Sequence, residues 1–238
     1  MSLLVAIEGA DGAGKATAAE NVKAALLARG LSATVISFPR YKDTVGGVTL
    51  GEFLSGRMPV PVTPQAAAVL YGLDRFESVA VIAEAAKAHD VVVFDRYIPS
   101  NMVYQASKVT PEESVALMRW IYALETEAFA VPAPDLSIYL DTPLDAAQRL
   151  MKLKDKRSYT DRQYDEHEAD MALQRAVRLN YSAIAELGLS GPWRTVQTIK
   201  DDQLRAPLEI ASEIVDLVIH RLCELRDHES ASQIASRA

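Results

Sequence analysis

Between Ile7 and Thr17 the sequence reads IEGADGAGKAT. Gly9, Gly14 and Lys15 fit the pattern G-x-x-x-x-G-K-[ST]. In that pattern glycines let successive backbone N–H groups turn inward around phosphate oxygens, and the lysine reaches the β- and γ-phosphates of a nucleotide. An apolar run, Leu3 to Ile7, precedes the loop and an alanine-rich stretch follows it. The loop therefore joins a strand to a helix whose N-terminal N–H groups and dipole add to the cradle. The chemistry predicted is phosphate binding by Gly9, Ala10, Asp11, Gly12, Ala13, Gly14, Lys15, Ala16 and Thr17. One position departs from the pattern. The residue after the lysine, ordinarily a hydroxyl that contacts Mg2+, is Ala16. Thr17 lies about 100° further round the helix and is no simple replacement. Three accounts follow: a metal held by nucleotide oxygens, water and carboxylates such as Asp11, which suits an ion that keeps much of its water shell; a slow enzyme; or a protein that binds a nucleotide without transferring phosphate.

Two further clusters stand after apolar runs. Phe38, Pro39, Arg40 and Tyr41 follow Ala33 to Ser37, and Asp95, Arg96 and Tyr97 follow Val91 to Phe94. A planar guanidinium holds phosphate oxygens at two points, and two of them on neighbouring loops would clamp a second phosphate facing the first. Phosphoryl transfer asks mainly for positioning and charge neutralisation, which matches this density of cations. The plainer alternative for either arginine is a surface charge at a strand end.

Short β-branched runs at Leu3 to Ile7, Ala33 to Ser37, Val91 to Phe94, Leu136 to Leu140 and Thr195 to Ile199 alternate with longer helical patterns. The helices are predicted at Ala18 to Arg29, closed by Gly30, and at Gln65 to Ala88, Pro111 to Ala130, Leu144 to Met151, Asp165 to Glu186 and Leu208 to Leu225. That alternation predicts βαβ units and a parallel sheet whose strand ends gather the loops at one edge. With 238 residues, 49% of them hydrophobic, the chain has material for one α/β domain, expected over residues 1–226. Lys152 to Arg162, KLKDKRSYTDR, is charged and poor in aliphatic residues, so it is expected to be exposed, as a short mobile lid or as a merely solvated face. The polar tail 227–238 is expected to fray.

The net charge of −7 argues against a nucleic-acid surface. A lone cysteine, Cys223, excludes an intrachain disulfide framework and fits a reducing cytosol. No stretch approaches the roughly 18 apolar residues of a membrane span, and the apolar start runs straight into the glycine loop without a leader pattern.

Taken in order, these motifs resemble the thymidylate kinase (dTMP kinase) family. The resemblance runs from Leu4 to about Tyr181 and rests on EGADGAGKAT at Glu8 to Thr17, FPRY at Phe38 to Tyr41, LYGLDR at Leu70 to Arg75, VVVFDRYIPSNMVYQ at Val91 to Gln105 and PAPDLSIYLD at Pro132 to Asp141. It implies a P-loop NTPase fold, an α/β architecture with a five-stranded parallel sheet flanked by helices on both faces and a lid near residues 152–164. The implied assembly is a homodimer, and the implied reaction is transfer from ATP to dTMP with Mg2+. By position, Lys15 would serve the ATP phosphates, and Arg40 and Arg96 the dTMP phosphate. Asp11 would face the acceptor, and Asp95 would organise metal-bound water and Arg96. Phe38, Pro39, Tyr41 and Gln105 join the acceptor side. Tyr71 would lie against thymine with Arg75 on its exocyclic oxygen, Asn101 would read the N3 and O2 edge, and Tyr104 would crowd the 2′ position. An aromatic face supplies contact area, and a cation beside a carbonyl acceptor separates thymine from a base with an amino group there. Ordinary helix packing is the other reading for Tyr71 and Tyr104.

Gly12 inside the loop resembles family members that supply catalytic arginine from the lid, which makes Arg157 and Arg162 the candidates and Lys154 and Lys156 lesser ones. Asp165 and Glu168, three apart at a predicted helix start, resemble acidic residues near the metal; helix N-terminal electrostatics is the alternative. Two other function classes remain open from the residues: a kinase for another monophosphate or a deoxynucleoside, and a nucleotide-binding protein that transfers nothing.

Overall fold

The computed structural model describes residues 2–155 and 171–235. Five parallel strands, β1 (Leu3–Glu8), β2 (Ala33–Ser37), β3 (Val91–Asp95), β4 (Leu136–Asp141) and β5 (Trp193–Gln197), form one sheet in the order β2-β3-β1-β4-β5. All six residues of β1 are buried, as expected of a central parallel strand covered on both faces. Alternate residues serve opposite cores. Leu3, Val5 and Ile7 join Val91, Val93, Ile138 and Leu140 beneath α1 (Lys15–Ala28) and the last long helix, α9 (Pro207–Ala235). Leu4 and Ala6 join Val92, Phe94 and Tyr139 beneath α5 (Ile98–Ala106), α6 (Pro111–Ala123) and α8 (Met171–Glu186). The remaining helices are α2 (Val45–Leu54), α3 (Pro64–Glu77), α4 (Val79–Ala88) and α7 (Leu144–Asp155). A two-stranded hairpin, β6 (Ile199–Lys200) and β7 (Gln203–Leu204), precedes α9.

Several boundaries differ from the sequence reading, each for a local reason. The pattern Gln65 to Ala88 is two helices, because Ser78 caps α3, its N–H on Arg75 O at 3.0 Å and its hydroxyl on Asp74 O at 2.7 Å. The pattern Pro111 to Ala130 leaves the α-helix at Ala123 and continues as a π-helical segment, Leu124–Ala128. β5 begins at Trp193, and Ile199 belongs to the hairpin. Two helices were not read at all. α2 carries three glycines in ten residues and is held by its Thr44 cap, and α5 is buried at all but one position, which erases the amphipathic period. At the C-terminus the helical backbone extends to Ala235, past the predicted end at Leu225; no glycine or proline interrupts it between Leu208 and Ala235. Gly30 closes α1 with φ of 79°, and the Gly30 and Leu31 N–H groups return to the Leu27 and Leu26 carbonyls, as its sequence position predicts.

Candidate active site

The sheet order sets three strand ends side by side: β2 leading into Phe38–Arg40, β3 into Asp95–Tyr97, and β1 into the glycine loop. Ser37 and Ile7 both register with Asp95, and the Phe38 and Arg96 N–H groups tie the loops together through Asp95 O at 3.1 Å and Ile7 O at 3.2 Å. Gly9, Gly12 and Gly14 have φ of 155°, 78° and 86°, conformations costly for any residue with a Cβ. At Gly12 the obstacle is also spatial: a Cβ would lie 2.5 Å from Ala147 O, so α7 presses directly on the loop.

Lys15 stands at the first turn of α1, and its Nζ donates to Gly9 O at 3.0 Å and Ala10 O at 2.8 Å. Ala16 and Thr17 are exposed on that turn. Burial, and then the Arg96 charge, lower the Lys15 pKa to about 8 against the pull of Asp11, Asp95 and Glu8. In the free protein the ammonium is thus charged well below pH 8 and is lost as pH rises through it, while bound phosphates would raise the value again. The expected profile is a kcat/KM for the phosphate donor that falls above pH 8 while kcat holds to higher pH; a kcat/KM flat to pH 10 would count against the lysine's role.

Asp11 is the hub of the loop. Its carboxylate pairs with Arg96 and accepts from Gln174 Nε2 at 2.7 Å, while its N–H donates to Gln174 Oε1 at 3.1 Å. Burial pushes its pKa up, but the Arg96 and Lys15 charges and hydrogen bonds from Tyr104 and Gln174 hold it below the usual carboxylate range. Arg96 also donates to Ser100 Oγ at 3.3 Å, lies within 3.4 Å of the Tyr104 hydroxyl and has its Cζ 5.1 Å from that ring's centroid. It adopts φ of 65°, a left-handed conformation that concentrates at functional sites when the surroundings enforce it.

Next to Arg96 in the sequence, the Tyr97 N–H is held by Glu8, a residue that sequence reasoning passed over. Fully buried, its carboxylate accepts from the Tyr97 N–H at 2.8 Å, the Ser100 hydroxyl at 2.6 Å and the Tyr181 hydroxyl at 2.8 Å. Burial drives its pKa above the ordinary value despite those donors. The available signal was an acid ending an otherwise apolar buried strand. Gln174 gave no comparable signal, being one amide on a long helix.

On the other arm, Arg40 donates from its N–H to Asp74 Oδ2 at 3.0 Å and from its guanidinium to Ser78 Oγ at 3.1 Å, and it pairs with Asp43 at 3.2 Å. Arg75 is buried, its Cζ 5.8 Å from the Phe38 ring centroid, and Tyr71 is half-buried one turn earlier. Asn101 and Gln105 are buried on α5, and Tyr41 is largely exposed. Asp95 is half-buried at the end of β3. Arg157, Arg162, Lys156, Asp165 and Glu168 lie outside the described residues, as does the side chain of Lys154.

A sequence profile of the thymidylate kinase family matches residues 7–198. The chain belongs to the thymidylate kinase family. Among curated relatives, the thymidylate kinase of Mycobacterium tuberculosis is 32% identical over 195 residues, spanning 82% of this chain and 91% of that protein. The probable thymidylate kinase of Pyrococcus abyssi is 29% identical over 225 residues, spanning 93% and 98%. Among solved structures, a thymidylate kinase from Candida albicans superposes with a TM-score of 0.66 at 21% identity, covering 92% of each chain, and supports the fold. Thymidylate kinase membership therefore agrees with the sheet order and with the glycine loop.

Proposed function

We propose that the protein transfers the γ-phosphoryl group of ATP to dTMP, giving dTDP and ADP, with Mg2+ as the metal. The observation that carries this reading is the cluster in which Arg96, from the loop after β3, meets Asp11 and approaches Lys15 in the glycine loop. That arrangement joins an acceptor-side cation to a donor-side cradle. In this reading the glycine loop and Lys15 hold the ATP phosphates, and Arg40 and Arg96 hold the dTMP phosphate in line with them. Tyr71, Arg75, Asn101, Tyr104 and Gln105 face the nucleoside.

The residues present fit a triphosphate: three positive-φ glycines lead into the N-terminus of α1, with a buried lysine at its first turn. They fit Mg2+ in a particular way. Among the described residues there is no group of three or more ligating side chains, and Asp11 is committed to Arg96 and Gln174. Asp11 and Asp95 would then act chiefly through metal-bound water, while nucleotide oxygens supply the rest, and Asp165 and Glu168 are further candidates. When bound, Mg2+ would neutralise charge on the transferring phosphates. The chain's own work is to position both phosphates and exclude water, with Arg157 or Arg162 as the added cation.

We place the protein in the cytosol as a homodimer; among the described residues no helix is long and apolar enough to cross a membrane. The test is production of dTDP from dTMP by purified protein with ATP, stopped by chelation and restored by Mg2+. Turnover that survives chelation would remove the metal from the reading.

A further inference from the structure

The π-helical segment Leu124–Ala128 places one acid, Glu125, inside the protein with no exposed surface. A wound-out turn of this kind is uncommon and recurs at functional sites. Gly72 on α3 permits the approach, since a Cβ there would lie 3.0 Å from the Phe129 ring and 3.4 Å from Glu125 Cγ. The Glu125 carboxylate takes two N–H groups of Arg75, at 2.5 and 2.6 Å, and on Oε1 also the Asn101 amide at 2.9 Å. The same Asn101 Nδ2 donates to Ala68 O at 2.9 Å.

These contacts fix which way the Asn101 amide points. Turned over, its oxygen would face two oxygens, a carbonyl and a carboxylate, with no hydrogen between them. Both amide hydrogens are thus consumed on the protein side. What remains is Asn101 Oδ1, a buried acceptor without a partner among the described residues. A buried polar atom left unmatched is costly, and such an atom in a native fold asks for an explanation.

We propose that Glu125 is a positioning residue for the choice of acceptor base: by taking one Asn101 amide hydrogen while Ala68 O takes the other, and by fixing Arg75 side-on, it leaves the pocket one acceptor matched to a ring N–H. The inference rests on the reading that a pyrimidine lies against Asn101. Thymine and uracil carry a hydrogen on N3, which Oδ1 would accept. Cytosine presents a lone pair there, so acceptor would meet acceptor. Arg75 keeps N–H groups beyond those given to Glu125, and these favour a ring carbonyl over an amino group by the same logic. Glu125 touches no substrate in this scheme; it acts by reinforcing Ala68 O against turning of the Asn101 amide.

The test is the ratio of kcat/KM for dTMP to that for dCMP in Glu125→Gln, with Asn101→Ala in parallel. In Glu125→Gln the one remaining oxygen is drawn to the Arg75 guanidinium, and its NH2 then faces Asn101 and favours the turned amide against the hold of Ala68 O. The ratio is expected to fall about tenfold or more, the worth of one mismatched hydrogen bond, mainly through KM for dTMP with saturated turnover changed far less. An unchanged ratio in Glu125→Gln alongside a lowered ratio in Asn101→Ala would overturn the positioning role and leave the base reading standing. An unchanged ratio in both would overturn the base reading itself. Should the half-paired Arg75 prevent Glu125→Gln from folding, the comparison passes to Arg75→Gln, which keeps the carboxylate on Asn101, against Arg75→Gln/Glu125→Met, which leaves the Asn101 amide with Ala68 O alone. The second should discriminate about tenfold less than the first, and equality would reject the proposal.

Discussion

Lys15→Ala is expected to lower kcat by a factor of at least about 10², equivalent to roughly 3 kcal/mol of lost transition-state stabilisation. The ammonium is buried among Asp11, Asp95 and Glu8 and hydrogen-bonded to the loop's own carbonyls, so no neighbouring cation can slide into its place. Arg96 is committed to Asp11 and Ser100. The loss should therefore be carried by transfer itself rather than by acceptor affinity. Steady-state kinetics with a circular-dichroism check of folding reads the effect, and activity within a few-fold of wild type would mean that the loop does not hold the transferring phosphates.

Arg96→Ala should have the largest effect on the acceptor. It removes the proposed two-point phosphate contact and leaves the buried Asp11 carboxylate with Gln174 and Lys15 but without its guanidinium. Breaking such a pair from one side costs on the order of 3 kcal/mol or more of folding stability; separately, losing a preorganised charged contact on the transferring phosphate is expected to lower kcat/KM for dTMP by about 10²–10³, with the KM for ATP changing much less. A second variant separates chemistry from backbone strain. Since Arg96 holds φ of 65°, Arg96→Gly should be as inactive as Arg96→Ala yet more stable by about 1 kcal/mol, because glycine accepts that conformation freely. Thermal denaturation of the two proteins measures this, and equal midpoints would show that Arg96 carries no strain.

The strands and the glycine loop were legible because their signals are local. A β-branched run, a glycine turn and a lysine occupy consecutive positions, and the helix end at Gly30 needs only its own φ. Arg40 and Arg96 were legible because each follows a strand directly. What escaped depends on tertiary contact. Ser78 looks like any serine in a helix until its hydroxyl is seen to end α3 and receive Arg40. Glu125 looks like an ordinary surface acid until the π-helical segment turns it inward onto Arg75. Gln174 reaches Asp11 across 163 residues of sequence, and no spacing rule connects such positions. α2 was hidden by its glycines, and α5 by being buried almost all round.

A comparison of acceptors at fixed ATP and Mg2+ is the most direct measurement, with purified protein and dTMP, dCMP, dGMP and dAMP supplied one at a time. The expected result is dTDP formation with a kcat/KM for dTMP at least about 10² above that for any of the others, as a pocket built to pair with ring N–H and carbonyl groups predicts. No turnover with any monophosphate, or equal turnover with all of them, would contradict assignment of this site to dTMP.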